Sequence, residues 1–204
     1  MPCCKDCKIK SSAVRTLSKS ELEHLDKNCK QAQFSNKAVI LQQGAFSSNI
    51  IYLCEGCVKV QIHGPVKDQI TKISKSPAFI GLPTTFNEKT NHYSVISIGA
   101  STVCFIDADV FQEFIYKNGK FAYEIIIDLC RNELNSFNRC VSRTQKHIHG
   151  RVADALLFFS NEIYQADEFS LPLSRLEFGN FVDTSRETIC RIFGEFKNDH
   201  LIDI

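Results

Sequence analysis

Apolar positions change their spacing twice along this chain. Between about Phe34 and Ile106 they come in short β-branched runs: Val39-Ile40-Leu41, Ile50-Ile51-Tyr52-Leu53, Val58 to Ile62, Ile70 to Ile73, Tyr93 to Ile98 and Thr102 to Ile106. Gly44, Glu55-Gly56, Gly64-Pro65, Pro77, Gly81 and Gly99 punctuate the runs, and Val58, Val60 and Ile62 alternate with polar neighbours. Strands of this length at short intervals predict an all-β barrel, roll or sandwich of roughly seventy residues. Ahead of it, residues 18–28 predict a short helix, with Ser18 and Glu21 placed as a capping box. Behind it, Asp109 to Tyr116 predict another, stopped by Asn118-Gly119.

The period then becomes helical. Ile127, Cys130, Leu134, Phe137, Val141, Thr144 and Ile148 recur at alternating spacings of three and four, with Arg131, Glu133, Arg139 and Arg143 off the stripe. One helix over about 120–147 with so narrow a seam predicts a two-stranded coiled coil, giving a homodimer through residues 120–148. The alternative is a helix packed along its own barrel, which usually carries a wider apolar face. From Gly150, Val152, Ala155, Leu156, Phe159 and Ile163 keep helical spacing, and 169–173 read as an extended piece. Ser174 to Val182 and Thr184 to about Asn198 then predict two helices separated only by Asp183, with a capping box at Thr184 and Glu187. Two short helices across a tight turn are a helix-turn-helix. The fold class is α+β in three parts: 1–117, 118–147 and 148–204.

Composition adds limits. Hydrophobic residues at 44% and charged residues at 23% are globular proportions, and a net charge of +1 gives no global sign of a polyanionic partner. With 16 Phe, one Met and no Trp, Phe and Ile must build the cores. No window is apolar enough for a spanning helix, and Met1 to Cys7 has no apolar stretch behind its charges. No membrane association or secretory signal is therefore expected, and the chain reads as cytoplasmic. Ten cysteines are spread over the whole length, and a reducing compartment would keep most as thiols. Only Cys3-Cys4-x-x-Cys7 and Cys54-x-x-Cys57 have ligand-like spacing; the second reads as structural. No Ser-His-Asp set, paired carboxylates, phosphate loop or Glu-bearing metal motif appears, so an enzyme is not expected.

The run Ser174-Arg175-Leu176-Glu177-Phe178-Gly179-Asn180-Phe181-Val182-Asp183-Thr184-Ser185-Arg186-Glu187-Thr188-Ile189-Cys190-Arg191 resembles the DNA-reading motif of the CRP/FNR family of bacterial transcription regulators. Gly150-Arg151-Val152-Ala153-Asp154-Ala155 looks like that family's link from dimer helix to DNA domain. Gly44, Glu55-Gly56-Cys57-Val58-Lys59-Val60 and Phe79-Ile80-Gly81 fall where its cyclic-nucleotide-type β-roll carries glycine turns. The resemblance implies a β-roll sensor, a dimerisation helix, a winged helix-turn-helix, double-stranded DNA as partner and RNA polymerase as a second one. Arg186, Glu187 and Arg191 are the implied base readers, since Arg forks onto guanine O6/N7 and Glu accepts from cytosine N4. Ser185, Thr188 and Ser174 are the implied phosphate contacts, with Cys190 beside them. Residues 148–204 nevertheless hold five Arg/Lys against ten Asp/Glu, a net of −5 that is unexpected for a phosphate-neutralising domain. The family's wing is expected to be truncated or vestigial after Asp199. Where the family's turn often carries Gly, Asp183 tolerates the left-handed conformation better than most residues.

Sensing is less determined. Members that bind cyclic AMP carry a Gly-Glu and an Arg-Ser pair in the pocket; here Gly81 is followed by Leu82, and the later pair is Tyr93-Ser94. Without the Arg, a buried phosphate loses its charge-assisted fork, so cyclic AMP is not the expected ligand. Gly81, Leu82, Thr84, Tyr93 and Ser94 remain the candidate effector pocket. Cys4 and Cys7 resemble the first cysteines of the FNR branch's iron–sulfur site, and Cys104 falls at its last, but the position six residues after Cys7 is Ala13. Cys3 or Cys29 would have to complete a cluster or a zinc site. Reversible disulfide chemistry, or no chemistry at all, are the other readings. Two functions stand: an effector- or redox-controlled homodimeric DNA-binding regulator, or a sensor or metal-binding module whose DNA binding is weak or lost.

Overall fold

The computed structural model describes residues 10–203 apart from position 87. Its internal contacts divide the chain into two compact units: the chain up to Ile62 with Lys72–Glu133, and His63–Thr71 with the chain from Leu134 onward. Among the described residues, no helix is long and apolar enough to cross a membrane.

Along the chain, α1 (Ser12–Arg15) and α2 (Lys19–Lys27) lead into β1 (Cys29–Phe34), β2 (Val39–Leu41), β3 (Asn49–His63), β4 (Asp68–Lys75), β5 (Ala78–Ile80), the short α3 (Leu82–Phe86) and β6 (Ser94–Asp107). The predicted capping box is present on α2: Ser18 Oγ accepts from the Glu21 N–H at 3.3 Å, and the Glu21 carboxylate accepts from the Ser18 N–H at 2.7 Å. The strands form one six-stranded sheet ordered β1-β6-β3-β4, with β2 paired to β6 and β5 to β3. The runs 50–53 and 58–62, expected as separate strands, are one strand of 15 residues. Its register against β6 shifts between Leu53 and Cys57, so Glu55-Gly56 marks a bulge rather than a chain reversal. Gly56 has φ +91, and a Cβ there would stand 2.5 Å from the Ala100 carbonyl oxygen, so no larger residue fits without backbone movement. The runs 93–98 and 102–106 are likewise joined in β6.

Alternate residues of β3 enter two clusters. Ile51, Leu53 and Val58 pack with Val95 and Val103 on one face. Tyr52 and Cys54 pack with Cys104 and Ile106 on the other, against Ala13, Val14 and Leu17. That second cluster also takes Phe111 and Phe114 of α4 (Ala108–Lys117) and Phe121 and Ile125 from the start of α5 (Gly119–Gln145). Phe111 lies 5.3 Å from both Phe79 and Phe121, ring to ring. Each such aromatic contributes about 1.5–3 kcal/mol over its exposed state, which is how a chain without Trp closes this core.

The predicted long helix is α5. Its apolar residues change character along its length: Phe121 and Ile125 are buried, whereas Leu134, Phe137 and Val141 are 61%, 58% and 51% exposed.

The second unit holds α6 (Ile148–Phe158), which runs into a π-helical stretch (Phe159–Tyr164), then α7 (Arg175–Val182) and α8 (Arg186–Asn198). The break after α5 falls at Lys146, with His147 in extended conformation as the N-cap of α6. Phe159, Phe178, Ile189, Ile192 and Phe193 form the core, all at most 2% exposed. The rings of Phe178 and Phe193 are 5.3 Å apart. Residues 169–173 form no strand.

Candidate nucleic-acid interface and sensing sites

The helix-turn-helix is built from local caps and one close approach. At the head of α7, Ser174 Oγ accepts from the Glu177 N–H at 3.3 Å and the Glu177 carboxylate accepts from the Ser174 N–H at 2.8 Å. Asp183 ends the helix in the left-handed region, φ 61 and ψ 58, as its tolerance for that conformation allows. The Thr184 N–H closes the turn onto the Gly179 carbonyl at 2.9 Å. A Cβ on Gly179 would lie 2.8 Å from the Thr184 carbonyl oxygen, so glycine at this position sets how closely the turn folds over α7. The expected Thr184–Glu187 capping box is not formed. With Thr184 taken up by the turn, Ser185 becomes the N-cap and its Oγ accepts from the Thr188 N–H at 3.2 Å.

On α8, Ile189, Ile192 and Phe193 face the core, while Arg186, Glu187, Cys190 and Arg191 are exposed. These four stand at i, i+1, i+4 and i+5, one face of a helix. Ser185 and Ser174 are exposed at the heads of their helices, and Thr188 is half-buried. Arg186 makes no ion pair among the described residues. The Glu187 carboxyl sits below its ordinary pKa because it bonds its own backbone N–H and the Ser185 hydroxyl, so it is an ionised acceptor at neutral pH. Arg191 pairs with Glu195 one turn on. Glu195 also meets His149 Nε2 at 2.7 Å, and this contact, then Arg191, lowers its pKa.

Sequence reasoning missed the residues that hold the turn. Arg151 donates to the Arg143 carbonyl at 3.0 Å and to the Asp183 carbonyl at 3.5 Å. Lys67 Nζ meets Asp183 Oδ1 at 2.9 Å, the first cause of that carboxyl's lowered pKa. Gln69 donates to the Asn180 carbonyl. No local pattern announces these long-range contacts.

Comparison with known proteins agrees with this geometry. A family model described as a cyclic nucleotide-binding domain matches residues 31–118, and one described as a Crp-like helix-turn-helix domain matches residues 150–204. The chain belongs to the CRP/FNR family. Family relatives include the regulatory protein HlyX of Actinobacillus pleuropneumoniae, 25% identical over 98% of this chain and 86% of that one. The fumarate and nitrate reduction regulatory protein of Vibrio cholerae is 24% identical, over 98% and 83%. Among solved structures, the c-di-GMP-responsive regulator CLP of Xanthomonas campestris has a TM-score of 0.78 at 16% identity, covering 92% of this chain and 95% of that one. FixK2 of Bradyrhizobium japonicum gives 0.77 at 14%, over 86% and 88%. The chain is thus a DNA-binding transcription regulator with the family's fold. The named relatives are regulators rather than enzymes.

The structure brings most of the candidate effector pocket together, around a turn. Gly81, at φ +98, accepts through its carbonyl from Thr84 Oγ1 at 3.0 Å. The Tyr93 phenol is raised by burial, while bonds to the Thr84 side chain and the Gly81 backbone pull it down. Leu82 and Thr84 are buried, and Ser94 points its Oγ at the Gln43 N–H, 3.0 Å away. These polar groups satisfy one another. A cavity of about 330 Å³ lies elsewhere, lined by Phe46, Ser47, Thr85, Lys89, Asp107 and Gln112 among others, and includes none of the five predicted residues.

Of the predicted sulfur ligands, Cys3, Cys4 and Cys7 lie outside the described residues. Cys104 is fully buried and disulfide-bonded. Cys29, half-buried at the head of β1, borders the same core cluster and donates to the Asp26 carbonyl at 3.7 Å. Ala13, at the spacing where a third thiolate is expected, is buried in that cluster too. No three His, Cys, Asp or Glu side chains among the described residues are arranged to hold a metal. Among the described residues, the Cys104 sulfur is already bonded and position 13 offers a methyl group.

Proposed function

We propose that the chain is a homodimeric, sequence-specific regulator in the cytoplasm whose affinity for DNA follows a redox signal carried by sulfur in its N-terminal part. Residues 1–117 form the sensing part, 118–147 the dimerisation helix and 148–204 the DNA-reading part. The observation that carries the reading is the exposed face of α8, with Arg186, Glu187, Cys190 and Arg191 outward beside a capped turn. Arg186 and Arg191 suit guanine, Glu187 suits cytosine N4, and the Ser174, Ser185 and Thr188 hydroxyls suit phosphates. The bare seam of Leu134, Phe137 and Val141 supports a second copy across α5. Two copies would read a palindrome whose half-sites lie about one helical turn apart. RNA polymerase is the proposed downstream partner.

The acidic balance of 148–204 makes salt the informative variable. Palindromic duplexes selected from random sequence should be retained by the reduced or the oxidised chain, with log affinity falling linearly against log salt. Retention that is equal in the two redox states would remove the redox part of the reading. No retention of any duplex at low salt would remove the regulator itself.

A further inference from the structure

On the reading helix one carboxylate is tied at both oxygens, to two different helices. Glu195 Oε1 accepts from Arg191 Nη1 one turn back on α8, and Glu195 Oε2 accepts from His149 Nε2 on α6 at 2.7 Å. The acceptor is an ionised carboxylate, so Nε2 is the ring nitrogen that carries the hydrogen. The same imidazole lies 6.3 Å from the Phe196 ring, centroid to centroid. Nearby charges are engaged elsewhere. Lys146 meets Asp154 Oδ2 at 2.6 Å, and Arg151 donates to the Arg143 and Asp183 carbonyls. All three side chains of the group are about half exposed, and a lone pair at that exposure is held loosely. A carboxylate anchored from a second helix has fewer orientations open to it.

We propose that Glu195, braced by His149, is the positioning residue that directs Arg191 to a base edge and away from phosphate. This rests on the reading of α8 given above, in which Arg191 meets a base. The Glu195 contact takes Nη1 and leaves Nη2 and Nε, the parallel donors that a guanine O6/N7 edge accepts. Holding the fork before DNA arrives lowers the cost of ordering it in the complex. The carboxylate also offsets the Arg191 charge and repels phosphate, which makes this arginine a poor general backbone contact. The penalty falls more heavily on wrong sequences than on the right one, and that difference is specificity. The acidic balance of 148–204 thereby has a use at this position.

The test is a double-mutant cycle on the full chain. A duplex selected from random sequence is titrated in competition with its single-base variants and with random duplex. Arg191→Ala marks the base pair that Arg191 reads, as the position where discrimination falls. Glu195→Ala should lower discrimination at that same pair by roughly tenfold, and the double variant should lose no more than Arg191→Ala alone. Affinity of Glu195→Ala for random duplex should rise by roughly tenfold at about 0.1 M salt, with a salt slope steeper by about 0.9, because the freed guanidinium neutralises one more phosphate. His149→Ala should move both readouts in the same direction and less far. His149→Gln, whose amide can donate to the same oxygen, should restore them. A residue that only supported the fold would weaken both duplexes together and leave their ratio unchanged. An unchanged ratio in Glu195→Ala, or a further loss of discrimination in the double variant, overturns the inference while the reading of Arg191 stands. Unchanged discrimination in Arg191→Ala removes that reading and the inference with it, so the two failures are told apart.

Discussion

The recognition helix and the sulfur-bearing face of the sheet hold their chemistry in opposite ways. On α8 the functional side chains point to solvent, and the frame that aims them is local: Ser185 caps its own helix, Asp183 turns the chain, and Gly179 admits the turn five residues on. In the sheet the reactive groups are buried, and the frame is made of partners about fifty residues away, as Cys54 against Cys104 and Ser94 against Gln43. An exposed site built from short-range caps tolerates change around it. A buried one depends on strand register, where one bulge decides which side chain meets which.

The largest expected effect comes from breaking the symmetry that would make one reading helix into two. Phe137→Glu puts a charge into the seam at a position 58% exposed in the single chain, so the fold has little to lose. Sedimentation should show a monomer, and affinity for a two-half-site duplex should fall by roughly 10²–10⁴-fold while half-site binding persists. A dimer that survives the substitution would mean that the exposed seam is not the interface.

Arg186→Ala acts within one reading helix and should cost about 1–3 kcal/mol on the preferred duplex, with discrimination relaxed at one base position. Competition titrations against single-base variants of the site read this directly. An equal loss on random DNA would make Arg186 a backbone contact, and the reading face would then rest on Arg191 and Glu187. Arg191 starts from a different state, since Glu195 already holds it and shares itself with His149.

What could be read from sequence follows the same divide. The α2 capping box, the long helix, the helix-turn-helix and its Asp183 turn all depend on residues within a few positions of one another, and each is present. The Thr184 cap failed by one residue because the turn claims the Thr184 amide first, a competition that spacing does not reveal. In the sheet, Gly56 and Gly99, which read as strand breaks, sit at the register shift within long strands, since a positive φ serves a turn or a bulge alike. The neighbour of Cys54 is hidden from spacing for a related reason. The Cys54 sulfur faces that of Cys104, and only the shifted register of β3 against β6 brings the two together.

The smallest effect separates the cysteines by burial alone. Cys57, three residues after Cys54 on β3, has its thiol pushed up to about 11 from 9.0, chiefly by desolvation. A raised acid favours the neutral form in the folded chain, so its contribution is complete below about pH 9 and is lost as pH rises toward 11. Unfolding free energies from urea titrations should therefore fall over that window, by about 1 kcal/mol at pH 10, and Cys57→Ser should flatten the decline. Iodoacetamide near neutral pH should label exposed Cys190 well before Cys57, because alkylation needs a thiolate that solvent can reach. Early labelling of Cys57 would show that β3 opens at its bulge, and the neighbouring Cys54–Cys104 pair would then be within reach of external thiols as well.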